Sequence, residues 1–206
     1  MARFADRSLA DFLDALASPD PTPGGGTAAA VVGAMGVSLL MMVAGLTKSR
    51  TNAQPERVAL QEARAALSSI RDRFVKLADT DADAYDQVMA AYRLLKSTDA
   101  EVRARKQAVQ RAMRLATEAP LATLQTVVEA MKHARGVAAH GNQSAASDVR
   151  VALELLEAAA AGAAANVEIN LASLDDEAFK KSAASEVLDQ TNRVTEDAAT
   201  ARAALR

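Results

Sequence analysis

Hydrophobic positions along this chain recur at intervals of three and four, and nowhere alternate convincingly as a strand would require. Phe12, Leu13 and Leu16 form the first cluster, preceded by Ser8 with Asp11 three residues on, which resembles a capping box. They predict a short helix to about Ala17. Pro19, Pro21 and Pro23 forbid its continuation. Gly24-Gly25-Gly26 then leads into the uncharged run Thr27 to Thr47, a helix expected to end near Lys48. Pro55 reads as the first residue of a third helix. Its pattern runs through Val58, Leu67, Ile70, Phe74 and Leu77, then Val88, Met89, Leu94 and Leu95, to about Lys96, as one long helix or two. Thr98-Asp99-Ala100-Glu101 is a second capping box, followed by Val102, Val109, Met113 and Ala116. Pro120 should kink this helix rather than end it, since Leu121, Leu124, Val128 and Met131 continue the stripe. After a turn at Gly141-Asn142, a fifth helix covers about Ala145 to Ser173, and a sixth, capped by Asp175, runs toward the C-terminus. The expected class is all-α: a single domain over residues 1–206, a bundle of about six helices around a central apolar Ala/Gly-rich helix.

Composition changes this picture in two places. Half the residues are hydrophobic but only 3% are aromatic, so the helices must pack through small side chains. The net charge of −2, with both signs interspersed, offers no basic stripe and few rings for stacking bases, which argues against nucleic acid as a partner. Without cysteine there is no disulfide or thiolate chemistry, and the N-terminus lacks the apolar core of a signal peptide, so a cytoplasmic protein is expected. Thr27 to Thr47 has the length that spans a bilayer. Its Ala, Gly, Ser and Thr content and the Pro-Gly-Gly-Gly break before it favour a buried helix of a soluble bundle over a membrane span.

Four spots could carry chemistry. The glycines at 24–26 sit where a helix begins, either as a tight entry turn or as backbone N–H groups presented to a ligand. No strand precedes them and no Lys-Ser/Thr follows, so neither a dinucleotide fingerprint nor a nucleotide P-loop is present. Asp79, Asp83 and Asp86 share one helical face, either solvated or, if Asp83 points into a cleft, supplying a base or a counter-charge for a cation. Asn142 through Ser147 and Asp148 could cap a helix or line a pocket at its start. Asn166 and Asn170, at i and i+4 in an Ala-rich helix, must serve a network or a ligand if buried. His133 and His140 stand roughly 10 Å apart along a helix, too far for joint metal ligation, and no metal is expected.

The order of these features resembles the cyclodeaminase/cyclohydrolase family. The resemblance is sharpest at Pro21-Thr22-Pro23-Gly24-Gly25-Gly26 and the small residues behind it. It continues through Asp81-Ala82-Asp83-Ala84-Tyr85, Tyr92 to Lys96, Ala119-Pro120-Leu121, Gly141-Asn142 with Ser147-Asp148, Asn166-Val167 with Ile169-Asn170-Leu171, and Asp175 to Phe179. It covers about residues 8 to 180. The resemblance implies an enzyme acting on the one-carbon unit of a tetrahydrofolate between helices, without a cofactor, and a homodimer. It implies Pro23, Gly24, Gly25, Gly26, Arg50, Asn142, Asn166 and Asn170 as substrate-binding residues. Asp83 or Asp148 would hold the cationic substrate and accept a proton from water, with Lys96 or amides orienting the intermediate. Hydrolysis of methenyltetrahydrofolate is the leading expectation and deamination of formiminotetrahydrofolate the alternative; a non-catalytic binder of the same fold is the rival from another class. The chain departs from the family at Lys48 to Ala53, where Arg50 alone remains of a basic pair, and at Leu95, where the family has Pro.

Overall fold

The computed structural model describes residues 3–46 and 53–205. They form six helices: α1 (Leu9–Ala17), α2 (Gly25–Ala44), α3 (Gln54–Tyr92), α4 (Asp99–His140), α5 (Ala146–Leu171) and α6 (Glu177–Ala204), with single 3-10 turns at Phe4–Asp6 and Gln143–Ala145. Local chemistry sets most of the boundaries. The Ser8 side chain accepts the Asp11 N–H, and Thr98 and Glu101 form a reciprocal capping box. Pro55 stands in the first turn of α3, where its missing N–H costs nothing. The third helix is one uninterrupted rod of 39 residues.

Three expected boundaries move. The second helix stops at Ala44 with Gly45 as its C-cap, short of Lys48. α3 stops at Tyr92, because Leu94 and Leu95 are 47% and 70% exposed and have no core to bury into. Asp176, not Asp175, caps α6 by accepting the Phe179 N–H, while Asp175 pairs with Lys106 and donates its own N–H to Gln110.

α4 continues through Pro120, as expected, and packs against α2, α3, α5 and α6. Proline offers no N–H to the carbonyl of Ala116, four residues earlier. The side-chain amide of Asn170, on α5, donates to that carbonyl at 2.7 Å instead. A polar group freed by α4 is thus satisfied from α5. Replacing Asn170 by Ala should cost about 1–3 kcal/mol by orphaning the Ala116 carbonyl. In a Pro120→Ala background the loss should be much smaller, because the helix then satisfies its own carbonyl. Chemical denaturation of the two single variants and the double variant measures that coupling.

The seam between α2 and α3 positions everything that follows. Along α3, Leu60, Ala63, Leu67, Ile70, Phe74 and Leu77, then Ala84, Val88 and Ala91, are all buried, spaced alternately three and four apart. One position of that stripe is polar, Asp81. α2 lies antiparallel to it: Gly33 faces Phe74, and Gly26 faces Asp81, seven residues back on one helix and seven forward on the other. A methyl group at Gly33 would sit 2.6 Å from a ring atom of Phe74, so glycine is what admits the aromatic ring. On its other side α2 meets α5, where Gly36 lies against the Ala152 carbonyl and Leu156.

The third side of α2 is open. Met35 and Met42 are 51% and 44% exposed there, beside Leu9 of α1 and Val151 of α5. These residues border an apolar groove of about 770 Å³ that also takes in Phe12, Val31 and Leu39. α2 is long and apolar enough to cross a membrane, and half of its most apolar stretch is buried within the bundle.

Candidate functional site

Where α2 begins, the chain has no side chain of its own to cap the helix. Gly24 is the N-cap and makes no side-chain hydrogen bond, following a cis Thr22–Pro23 peptide. The carboxylate of Asp81 arrives from α3 to take that place. Its Oδ2 accepts the Thr27 hydroxyl at 3.0 Å. A methyl group on Gly26 would overlap the carboxylate, so only glycine lets the acid lie directly against the first turn.

Asp81 opens onto a cleft of about 360 Å³. Pro21, Thr22, Gly24, Gly25 and Gly26 form one wall, Asp81, Tyr85 and Val88 of α3 another, Met113 and Ala116 of α4 the floor, and Asn166 and Asn170 of α5 the far side. Both amides are oriented by their donors. The Asn166 Nδ2 donates to the Gly162 carbonyl at 2.8 Å, as that of Asn170 does to Ala116, which leaves each Oδ1 as an acceptor. The cleft therefore offers three side-chain acceptors, the Asp81 carboxylate and the two amide oxygens, beside the first-turn N–H groups of α2 and the hydroxyls of Thr22 and Tyr85. Among the described residues no Lys, Arg or His lines it.

Burial pushes the Asp81 carboxyl above the usual carboxylate range, and hydrogen bonding from Thr27 pulls partly the other way. Desolvation wins. Such a group holds a proton more readily than an ordinary carboxylate and is the stronger base for it.

Of the expected site residues, Gly24, Gly25, Gly26, Asn166 and Asn170 come together in this cleft. Pro23 is buried and does not line it; Pro21 and Thr22 do. The remaining described candidates lie elsewhere. Asp83 is exposed and shares its face with Asp79 and Asp86, as the spacing predicts, but that face borders a separate cleft with Arg3, Asp6 and Lys76. Two residues along a helix is a turn of about 200°, so Asp81 and Asp83 cannot face the same way. Asp79 there accepts the Phe4 N–H at 2.8 Å. Asn142 accepts the Ser144 N–H, capping the 3-10 turn before α5. Asp148 sits in the first turn of α5, about 27 Å along that helix from Asn166. Lys96 is exposed beyond the end of α3 and does not line the cleft. Arg50 lies outside the described residues. No group of three or more His, Asp or Glu able to hold a metal occurs among the described residues.

A family model described as formiminotransferase-cyclodeaminase matches residues 8–189. The chain belongs to that family. It is 39% identical to a methenyltetrahydrofolate cyclohydrolase of Methylorubrum extorquens, over 84% of each chain. It is 31% identical to the formimidoyltransferase-cyclodeaminase of Gallus gallus over 93% of its own length, but spans only 35% of that longer protein. Among solved structures, the formiminotetrahydrofolate cyclodeaminase of Thermotoga maritima superposes with a TM-score of 0.87 at 29% identity, covering 98% of this chain and 96% of that one. The glycine run, Asp81, Tyr85, Asn166 and Asn170 all fall within the matched span and line this one cleft, and Asn170 ties it to the carbonyl freed by Pro120.

Proposed function

We propose that this member of the family hydrolyses methenyltetrahydrofolate to formyltetrahydrofolate, with the cleft at the start of α2 as its active site. The observation that carries this reading is the lining itself: a largely buried carboxylate and two amide oxygens, with no cationic side chain among the described residues. Such a surface suits a cation, and the methenyl group is one. Asp81 faces the cationic carbon across the cleft and lowers the cost of burying its charge.

Water adds through its oxygen to that carbon while one of its protons passes to Asp81. The adduct then breaks its bond to the ring nitrogen, the electron pair staying with nitrogen. Asp81 returns its proton to that nitrogen, the hydroxyl proton leaves to solvent, and the hydroxyl becomes the formyl carbonyl. One water is consumed and one proton released. The carbon is electrophilic from the outset, so the step calls for no cofactor or metal.

The second reading is deamination of formiminotetrahydrofolate, favoured by the match to the Thermotoga maritima enzyme along nearly the whole chain. In that reaction Asp81, with its raised affinity for a proton, protonates the departing ammonia. Decay of methenyltetrahydrofolate absorbance against a buffer blank tests the first reading, and ammonia release from the formimino compound tests the second. Equal decay with and without protein overturns hydrolysis; absence of both activities leaves a ligand-binding relative.

The same reading describes a cytoplasmic homodimer with a folate substrate and neither nucleic acid nor membrane as partner. The open groove beside Met35 and Met42 is its two-fold contact, with Arg71 and Asp72 beside it supplying both signs of charge, as a self-pairing surface requires. Met35→Glu should yield monomers in sedimentation velocity; an unchanged sedimentation coefficient would place the contact elsewhere.

A further inference from the structure

Thr27 is completely buried in the first turn of α2, and its hydroxyl has two acceptors within reach but only one proton to give. One is Oδ2 of Asp81 at 3.0 Å, the other the carbonyl of Ala78 at 3.3 Å. Both lie on α3, one turn apart. A buried hydroxyl needs one acceptor, and a valine of the same shape would fill the space without any. The second acceptor is what matters here. An ionised Asp81 draws the hydroxyl proton to Oδ2, because a bond to a charged oxygen is the stronger one. A protonated Asp81 needs an acceptor for its own proton instead. The hydroxyl then turns its proton to Ala78 and offers Asp81 a lone pair. No group is left unsatisfied in either state.

We propose that Thr27 is the positioning residue of Asp81: it anchors Oδ2, leaves Oδ1 to meet the substrate, and follows the proton by switching its hydroxyl between Asp81 and the Ala78 carbonyl. The proposal rests on the assignment of the cleft as the active site and adds a residue to it. Proton transfer at Asp81 then requires no movement of the carboxylate, only rotation of a hydroxyl.

The surroundings leave few other groups to act on Asp81. Among the described residues, Tyr85 is the remaining ionisable side chain lining the cleft. The glycine wall, Met113 and Ala116 of α4, and Asn166 and Asn170 of α5 contribute none. Asp79 and Asp83, nearest along α3, point away on the opposite face. A change at Thr27 should therefore register directly in the titration of Asp81.

The test compares Thr27→Val, which keeps the shape and loses the hydroxyl, with Thr27→Ser, which keeps the hydroxyl. Blank-corrected hydrolysis of methenyltetrahydrofolate is followed as a function of pH. With Thr27→Val the acid limb moves to higher pH and kcat falls about tenfold while KM changes little; Thr27→Ser restores both. Superimposed profiles for wild type and Thr27→Val overturn the proposal, as does a serine variant impaired as much as the valine one, which would assign the role to the methyl group. The carboxyl carbon of Asp81, followed by NMR in the protein without substrate, gives a reading independent of activity. Its midpoint rises in Thr27→Val and stays near wild type in Thr27→Ser if the proposal holds; an unmoved midpoint refutes it. A wild-type protein inactive on both folates would instead overturn the functional assignment, while the NMR titration still decides the coupling between Thr27 and Asp81.

Discussion

Asp81→Asn should lower kcat for methenyltetrahydrofolate hydrolysis about 10²–10⁴-fold, the range that a positioned general base contributes. The amide keeps the size of the carboxyl and can still accept from Thr27, so the fold and the shape of the cleft survive. It cannot take a proton from water, and it removes the negative charge opposite the cation. Asp83→Asn, two residues away on the opposite face, should stay within about threefold of wild type in the same assay. The wild-type rate constant should rise with pH through the elevated midpoint of Asp81, and the asparagine variant should lose that limb. Equal damage from both substitutions, or none from Asp81→Asn, would remove Asp81 from the mechanism.

The same variant should be more stable than wild type. Burial raises the affinity of Asp81 for its proton in the folded state, so its contribution to stability is fully present below the ordinary carboxylate range. That contribution is lost as pH rises through the elevated folded value. Asparagine has nothing to lose there. The gap in melting temperature between Asp81→Asn and wild type should therefore open as pH rises toward neutrality and close in acid, measured by thermal denaturation at a series of pH values.

Phe74→Ala should destabilise the protein by about 3–5 kcal/mol, the range for truncating a large buried aromatic ring. Phe74 is fully buried, and its ring lies against Gly33 where no side chain from α2 can move in to fill the space. The cavity therefore stays. Activity should suffer as well, because Phe74 and Asp81 belong to one stripe of α3, two turns apart, and the same stretch of α2 faces both. Adding a methyl at Gly33 in the Phe74→Ala background should recover part of the stability, read from urea midpoints at unchanged slope.

Much of the fold was legible because the signals that define it are local. Capping at Ser8 and Thr98, the proline at 55 and the unbroken stripe from Val109 to Met131 all act within a few residues of where they are read. The glycines and the two asparagines, which line one cleft, were legible as candidates for a related reason: polar or side-chain-free positions stand out in apolar helices. Asp83 stood out because an i, i+4, i+7 set of acids looks like a designed face, and that face is exposed and lines a different cleft. Its neighbour carried the better signal. Counting three and four alternately from Leu60 lands on apolar residues at every step to Ala91 except position 81, and a lone acid in a packing stripe is the anomaly that calls for a reason. Asn142 and Asp148 lie away from the cleft for a different reason. Their residue types suit capping and ligand binding equally, and only the length of α5 separates them from the cleft. The pairing of Asn170 with the carbonyl freed by Pro120 joins residues fifty positions apart in sequence, which no local pattern could have joined.

Because Asp81, the proposed proton acceptor, occupies a place that packing would give to an aliphatic side chain, chemistry and robustness compete for one position. A descendant released from the need for catalysis could substitute leucine or valine at residue 81, close the seam from Leu60 to Ala91, and become a hardier but inert protein. Retired copies of this gene would then be recognisable by inspection: the glycine run retained as a turn, the helices in place, and the one acid gone from the stripe.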